Sequence, residues 1–170
     1  MASKQLFTAI SKIDAPASEV FRWHEEPGAL ERLTPPWEPV EIEQRAPGIR
    51  DGDRAVLKVG IGPFKIRWAL EHRDYIAGRQ FRDVQISGPF QSWQHTHLFL
   101  PESNDTSVLE DRIEYVLPLG LLGAIFGNWF VQRKLKRLFD YRHRITKEAL
   151  AARRATPSST FRDPKTPVNG

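Results

Sequence analysis

Residues 117–150 read LPLGLLGAIFGNWFVQRKLKRLFDYRHRITKEAL and contain the long helix around which the fold is organised. In the second half of this segment, mostly apolar residues recur every three or four positions, which is the spacing of one face of an amphipathic helix. The face predicted to pack consists of Val131, Leu135, Leu138, Arg142, Ile145 and Ala149. We expect the Arg142 stem to be buried and its guanidinium to pair with a carboxylate or with carbonyl groups.

Toward the N-terminal end of the helix, the side chains on this face are small. Traced back at 3.6 residues per turn, the face runs through Gly127, Ala124 and Gly120. Small side chains at these positions leave a hollow beneath the helix, and we expect a ligand cavity there. The opposite side of residues 122–129 carries bulky residues, and this side faces a partner, a membrane or solvent.

Upstream of the helix, residues 37–118 alternate between apolar and polar positions, which is the period of a half-buried β-strand. Turns rich in glycine and proline divide this region into about six consecutive strands. Residues 4–14 alternate in the same way and form the first strand, and two short helices follow before position 35. The fold class is therefore α+β, an antiparallel sheet of six to seven strands with a long C-terminal helix.

The length of 170 residues suits one domain, predicted at residues 1–152, followed by a tail. Residues 153–170 are rich in proline and poor in apolar residues, so we expect this tail to be disordered. The sequence has no cysteine, which excludes disulfides, thiolate zinc sites and cysteine nucleophiles. It also lacks phosphate-loop, dinucleotide and serine-elbow motifs. With no signal peptide at the N-terminus, the expected location is cytoplasmic.

The formal net charge of +4 is concentrated near the end of the long helix. The simplest interpretation is a solvated basic helix face, and weak contact with an anionic membrane surface is the alternative. We expect no binding of nucleic acid, because aromatic residues do not alternate with these basic residues. The uncharged run at residues 116–131 is shorter than the roughly 20 residues that span a bilayer.

Candidate site residues lie on one face of the predicted strand at residues 90–100. The alternation there brings Trp93, His95, His97 and Phe99 to the same side. Polar residues on the neighbouring strands could join them, which gives a mostly apolar pocket with a few polar groups. The full predicted set of ligand-binding residues is Trp68, Asp83, Gln85, Trp93, His95, His97, Phe99, Asp111, Tyr115, Gly120, Ala124 and Gly127.

This polar set allows three chemical interpretations. The two histidines with Asp83 or Asp111 could bind a metal, but the sequence fixes no third ligand, so neither a metal nor another cofactor is predicted. A His–Asp pair could act as a general acid and base, with His95, His97, Asp111 and Tyr115 as the catalytic candidates. Otherwise these residues orient a ligand or make structural hydrogen bonds. His24 and His143, each alone on a helix, are predicted to be surface or core residues, and His72 to be a pocket wall.

The element order resembles the START or Bet v 1-like superfamily, the SRPBCC group. Shorter segments, residues 33–37, 88–93, 95–99 and 111–120, look like a bacterial subgroup described as ligand-binding or cyclase/dehydrase-like. The resemblance covers residues 4–150. It implies a helix-grip fold, in which a curved antiparallel sheet grips the C-terminal helix and encloses a cavity.

The resemblance implies a cavity but no single reaction. The leading hypothesis is a protein that binds a small hydrophobic, aromatic or lipid-like ligand between the sheet and the helix. The alternative is an enzyme of the cyclase/dehydratase or hydrolase type that uses the histidine and aspartate residues named above. A third hypothesis is docking to a partner or a membrane surface through the outer side of residues 122–129.

Overall fold

The structure of the protein is a computed structural model that describes residues 3–61, 64–118 and 121–155, with the backbone alone for residues 61 and 121–126. The elements follow the predicted order of one strand, two short helices, six strands and a long helix. They are β1 Lys4–Ile13, α1 Ala17–Glu25, α2 Ala29–Arg32, β2 Val40–Gln44, β3 Arg54–Ile61, β4 Phe64–Ile76, β5 Gln80–Ser87, β6 Ser92–Pro101, β7 Ser107–Val116 and α3 Leu121–Ala155.

The seven strands form one curved antiparallel sheet in the order β1-β7-β6-β5-β4-β3-β2. Strand β1 pairs with β7, so β1 and β2 are the two edges of the sheet. Helix α3 packs on one face, where Leu135 and Phe139 join a core cluster with Trp93, Ile113 and Tyr115. The predicted helix-grip fold is confirmed.

The strand register brings polar residues of three strands side by side. Asp83 of β5 lies opposite His95 of β6, and His97 of β6 lies opposite Asp111 of β7. Directly opposed residues of an antiparallel pair point to the same face with their Cβ atoms about 5 Å apart. The four residues therefore meet on the face that α3 covers.

Helix α3 buries a face that is displaced by about one residue from the predicted one. Among residues 127–155, its buried side chains are Leu135, Phe139, His143, Thr146 and Leu150. Of the predicted face, only Leu135 is buried, and the other members are half-buried. The prediction was shifted because it followed aliphatic residues, whereas the burial of a histidine depends on a partner on the sheet.

A second core cluster lies between α1, the sheet and the last turns of α3. The Phe21 and Phe99 rings pack edge to face with their centroids 5.1 Å apart, and Trp23 and Phe81 belong to the same cluster. Phe99 was predicted to line a pocket, and the structure places it in this core with 1% of its surface exposed.

Helix α3 continues through Ala155, beyond the predicted domain boundary at residue 152. Arg153, the first residue of the predicted tail, donates two hydrogen bonds of 2.6 Å to the Glu26 carboxylate. Residues 156–170 lie outside the described residues, as do residues 62 and 63. Within the described parts of the chain, we find no helix long and apolar enough to cross a bilayer.

Candidate functional site

Asp111 is the centre of a buried polar cluster beneath α3. Its Oδ1 atom lies 2.7 Å from Nε2 of His95 and 2.8 Å from Nδ1 of His97. Its Oδ2 atom lies 2.7 Å from Nε2 of His143 on α3. Because an ionised carboxylate only accepts hydrogen bonds, Nε2 of His95 and Nε2 of His143 each carry a proton and donate it to Asp111. His97 contacts the same carboxylate as an ion pair.

Asp83 is the second carboxylate of this cluster. Its Oδ2 atom accepts a hydrogen bond of 3.2 Å from Nε2 of His97, so His97 lies between the two carboxylates. Its Oδ1 atom lies 2.6 Å from Nδ1 of His72 on the adjacent strand. The Nδ1 atom of His95 lies 3.7 Å from Oδ2 of Asp83. We refer to His72, Asp83, His95, His97, Asp111 and His143 as the His–Asp cluster.

Electrostatics inside this cluster favour one protonated histidine between two carboxylates. Burial alone would raise the carboxyl pKa values, but the neighbouring histidines hold the pKa of both Asp83 and Asp111 well below the ordinary range. Burial opposes the charge on His97, yet Asp111 and Asp83 outweigh it and raise the pKa of His97 to about 9. Burial, together with the charge on His97, lowers the pKa of His95 to about 4.

Arg142 lies beside the cluster, and its predicted pairing with a carbonyl is confirmed. Its Nε donates a hydrogen bond of 3.1 Å to the Leu33 carbonyl, and its guanidinium lies 5.3 Å from the centroid of the Phe139 ring. Burial lowers the pKa of Arg142, while Asp111 and Asp83 counteract this effect. The guanidinium thus adds a second positive charge near the two carboxylates.

The structure places the two helix histidines, His143 and His24, in different buried environments. His143 is a core residue, as one of the predicted alternatives had it, but it is joined to Asp111. The four-residue spacing of Leu135, Phe139 and His143 was the signal in the sequence that could have indicated this position. His24 is also buried, and its Nδ1 atom lies 2.8 Å from the Val20 carbonyl oxygen.

Tyr115 was predicted to act with the histidines, but its hydroxyl bonds to α3 instead. It donates a hydrogen bond of 2.6 Å to Oδ1 of Asn128 and accepts one of 3.0 Å from Nε2 of Gln132. Of the four catalytic candidates, the structure therefore joins His95, His97 and Asp111 directly, and Tyr115 links the sheet to the helix.

The predicted aromatic lining residues pack against one another. The ring centroids of Trp68 and Trp93 lie 5.0 Å apart. The ring centroid of Phe90, a neighbour that was not in the predicted set, lies 4.7 Å from that of Trp93. Gln85 donates a hydrogen bond of 2.8 Å to the Phe90 carbonyl and so holds the β5–β6 turn. The indole N–H of Trp68 is buried and has no hydrogen-bond partner among the described residues.

The predicted small face of α3 is described only in part. A Cβ atom at Gly127 would lie 3.5 Å from Cδ1 of Leu117, an ordinary van der Waals contact. Gly120 lies outside the described residues, and of Ala124 only the backbone is described. The hollow predicted there stays a prediction.

A groove of about 790 Å³ lies between the edge strand β1 and helix α3. None of the predicted ligand-binding residues whose side chains the structure describes lines it, because the sequence-based prediction placed the site on β4 to β7 and α3. His143 forms part of its wall and connects it to Asp111. The residues that line this groove, which we call the β1–α3 groove, are Phe7, Thr8, Ala9, Ile10, Ser11, Trp129, Gln132, Arg133, Lys136, Phe139, Asp140, His143, Arg144 and Lys147.

The sequence matches the profile of a family described as polyketide cyclase/dehydrase and lipid transport over residues 13–139. No curated protein matches the sequence significantly.

Several solved structures share the fold. An aromatase/cyclase, Zhui, from a Streptomyces species is 14% identical with a TM-score of 0.68, and the match covers 92% of this chain and 99% of that one. A START superfamily protein from Mycobacterium smegmatis is 13% identical with a TM-score of 0.63, covering 86% and 97%. Norcoclaurine synthase from Thalictrum flavum is 18% identical with a TM-score of 0.63, covering 88% of each chain. At these identities the similarity is one of fold.

Proposed function

Because the chain belongs to the polyketide cyclase/dehydrase and lipid transport family, we propose that it binds a small amphipathic ligand in the β1–α3 groove. This family membership agrees with the resemblance to the SRPBCC group seen in the sequence. The ligand has an apolar or aromatic body and an acidic group. The observation that carries the proposal is the groove itself, with its apolar floor and basic rim.

The size and floor of the groove suit an apolar body. A volume of about 790 Å³ falls within the roughly 300–1,000 Å³ that is usual for small-molecule sites. Phe7, Ala9 and Phe139 supply apolar surface where β1 faces α3. Gln132 and His143 place polar groups on the same wall, and such groups orient a ligand rather than hold it.

The rim of the groove favours an acidic group on the ligand. Lys136 is paired with Asp140 and Arg144 with Glu148, so these two charges are already balanced. Arg133 and Lys147 have no carboxylate within 4.0 Å among the described residues, and both line the groove. A carboxylate or another anionic group of the ligand would complement them.

Cis-parinaric acid, a fluorescent fatty acid, and its methyl ester test this proposal, because they share the same hydrocarbon chain and only the acid is negatively charged. The acid should bind the parent protein more tightly than the ester does. Ala9→Phe fills the groove and should weaken both, whereas Lys147→Ala should weaken only the acid. Leu6→Phe is the matched control, since Leu6 lies on the opposite face of the same strand and is 58% exposed.

Circular dichroism would establish that each variant is folded. If folded Ala9→Phe binds both probes as the parent does, the ligand does not occupy the β1–α3 groove and the proposal is wrong.

Acid–base catalysis on the bound ligand is a second candidate function. Its support is His143, which lines the groove and donates its Nε2 proton to Asp111 over 2.7 Å. That hydrogen bond leaves Nδ1 of a neutral His143 as the proton acceptor, the arrangement of a His–Asp general base. His95 and His97 would hold Asp111 in place from the other side.

This second function predicts a separation between binding and turnover. With a β-polyketone substrate, His143→Gln should keep binding of parinaric acid while cyclisation or dehydration falls by about 10²-fold or more, the usual contribution of a general base. Equal turnover in His143→Gln and the parent would eliminate catalysis by this pair.

A further inference from the structure

Three potential ligand atoms of the His–Asp cluster converge on one point. Asp83, His95 and His97 each offer one such atom within 4.8 Å of the others. Oδ2 of Asp83 lies 3.7 Å from Nδ1 of His95 and 3.2 Å from Nε2 of His97. Asp83 and the two histidines come from adjacent strands of the sheet. Their backbone positions are therefore set by the sheet rather than by a loop.

The other ring nitrogen of each of these two histidines already contacts a carboxylate. Nε2 of His95 and Nδ1 of His97 both lie within 2.8 Å of the same oxygen, Oδ1 of Asp111. A histidine that binds a metal commonly donates its other ring N–H to a carboxylate, which fixes the tautomer and turns the free nitrogen toward the ion. Here Asp111 accepts the Nε2 proton of His95 and lies 2.8 Å from Nδ1 of His97, and His143 donates a hydrogen bond to the second oxygen of that carboxylate.

This tautomer leaves a neutral His95 with its Nδ1 lone pair facing Oδ2 of Asp83 at 3.7 Å. Two lone pairs that face each other repel unless a positive charge lies between them. Without a metal, a proton on Nε2 of His97 removes the repulsion between His97 and Asp83. The repulsion between His95 and Asp83 remains. A cation at the point of convergence would be bound by all three atoms.

The spacing fits a small transition-metal ion. Zinc–nitrogen and zinc–oxygen bonds of about 2.0–2.1 Å in a tetrahedron place neighbouring ligand atoms about 3.3 Å apart. Asp83 Oδ2 lies 3.2 Å from Nε2 of His97 and 3.7 Å from Nδ1 of His95, on either side of that value. Two imidazoles and one carboxylate favour a first-row divalent ion over magnesium or calcium.

We propose that Asp83, His95 and His97 bind one divalent transition-metal ion, of which zinc is the test case. Asp111 contacts the other ring nitrogen of each imidazole, and Nδ1 of His72 lies 2.6 Å from the second carboxylate oxygen of Asp83. Three protein ligands leave a fourth position for water or a ligand oxygen, which is the pattern of an open rather than a purely structural zinc site. The proposal does not depend on a ligand in the β1–α3 groove.

The full chain, stripped with EDTA and dialysed, allows a direct test. Titration with zinc against a chromophoric chelator should give one zinc per chain. Cobalt(II) added to the parent protein should replace the weak spectrum of the hydrated ion with the stronger visible bands of a four- or five-coordinate site. All five histidines of the chain lie in described, buried or half-buried positions, so histidines on the surface do not compete for the ion.

Variants separate ligands from supporting residues. Asp111→Asn should weaken zinc binding by roughly 10–100-fold, the usual effect of losing an outer hydrogen bond to a ligand. Asp83→Asn and His95→Gln remove a ligand atom and should weaken it further. His24→Gln is the control, because His24 is a buried histidine whose Nδ1 lies against the Val20 carbonyl. It should bind zinc as the parent does.

The proposal is overturned if folded Asp83→Asn and His95→Gln bind zinc as tightly as the parent, or if His24→Gln loses as much affinity as they do. Should the ligand variants fail to fold, the cobalt spectrum of the parent decides alone. An unchanged spectrum of hydrated cobalt(II) in the presence of the folded parent rejects the site.

Discussion

Nε2 of His143 and Oδ2 of Asp111 lie 2.7 Å apart, which joins α3 to strand β7 of the sheet through a buried hydrogen bond. Both residues are at least nine-tenths buried. The bond lies between the β1–α3 groove on one side and the remaining histidines on the other. A change at Asp111 should therefore alter both the stability of the fold and the chemistry of the site.

Asp111→Asn should destabilise the protein strongly. The change removes the charge of the carboxylate that contacts three histidines and leaves the His97 cation with one carboxylate, Asp83. Loss of one partner of a buried charge pair typically costs about 3–5 kcal/mol. Urea unfolding of the metal-free protein would measure this, with Asp105→Asn on the exposed β6–β7 loop as the control. Equal midpoints for Asp111→Asn and the parent would contradict the central role of Asp111.

Arg142→Ala should lower stability through the carbonyl that it leaves unpaired. The Leu33 carbonyl accepts a hydrogen bond of 3.1 Å from Arg142, and losing such a part-buried contact costs about 1–3 kcal/mol. Arg144→Ala is a matched control, because the side chain of Arg144 is 55% exposed. The denaturant midpoint of Arg142→Ala should fall well below that of Arg144→Ala, and coincident midpoints would disprove the assignment.

His97 should make the metal-free protein less stable in alkaline solution. Its pKa of about 9 in the folded state lies above the ordinary value of 6.5, so its contribution is fully present below pH 6.5 and is lost as the pH rises through 9. A difference of this size corresponds to about 3 kcal/mol. Unfolding free energies measured in EDTA from pH 6.5 to 9.5 should fall for the parent and stay flatter for His97→Gln. Parallel curves would show that His97 is not the cation of the cluster.

His24 should make the protein less stable in acidic solution. Burial lowers its pKa to about 4, so the unfolded chain takes up the proton first as the pH falls. The contribution of His24 is therefore fully present above pH 6.5 and is lost between pH 6.5 and 4. His24→Leu should lose about 3 kcal/mol less stability than the parent over this interval. An identical loss in both proteins would mean that His24 is already protonated in the folded state.

Two glycine-to-alanine changes should have opposite effects. At Gly127, inside α3, a Cβ would make an ordinary contact of 3.5 Å with Leu117, so alanine should stabilise the helix by about 0.5–1 kcal/mol. At Gly88, after β5, a Cβ would overlap Trp68 and Gln85, so alanine should be destabilising. Thermal unfolding of the two variants beside the parent would show the sign of each change, and a destabilised Gly127→Ala would contradict the contact described here.

Much of the fold follows from local periodicity. The alternation along β6 predicts that His95 and His97 share a face with Trp93, because successive side chains of any strand point to opposite sides. The helical period of α3 likewise predicts a long amphipathic helix that packs on the sheet. These properties depend on neighbouring residues alone, so they can be read before the strands are paired.

The sequence by itself thus determined the elements, their order, and which residues of each strand face inward. Only the tertiary structure decided that Asp83 lies opposite His95, that Asp111 lies opposite His97, and that His143 reaches Asp111 from the helix. The register of strand pairing and the rotation of α3 on the sheet depend on turns, bulges and packing summed over the whole chain. A shift of one residue in either would turn a carboxylate or a histidine away from the cluster, and no local pattern in the sequence records that choice.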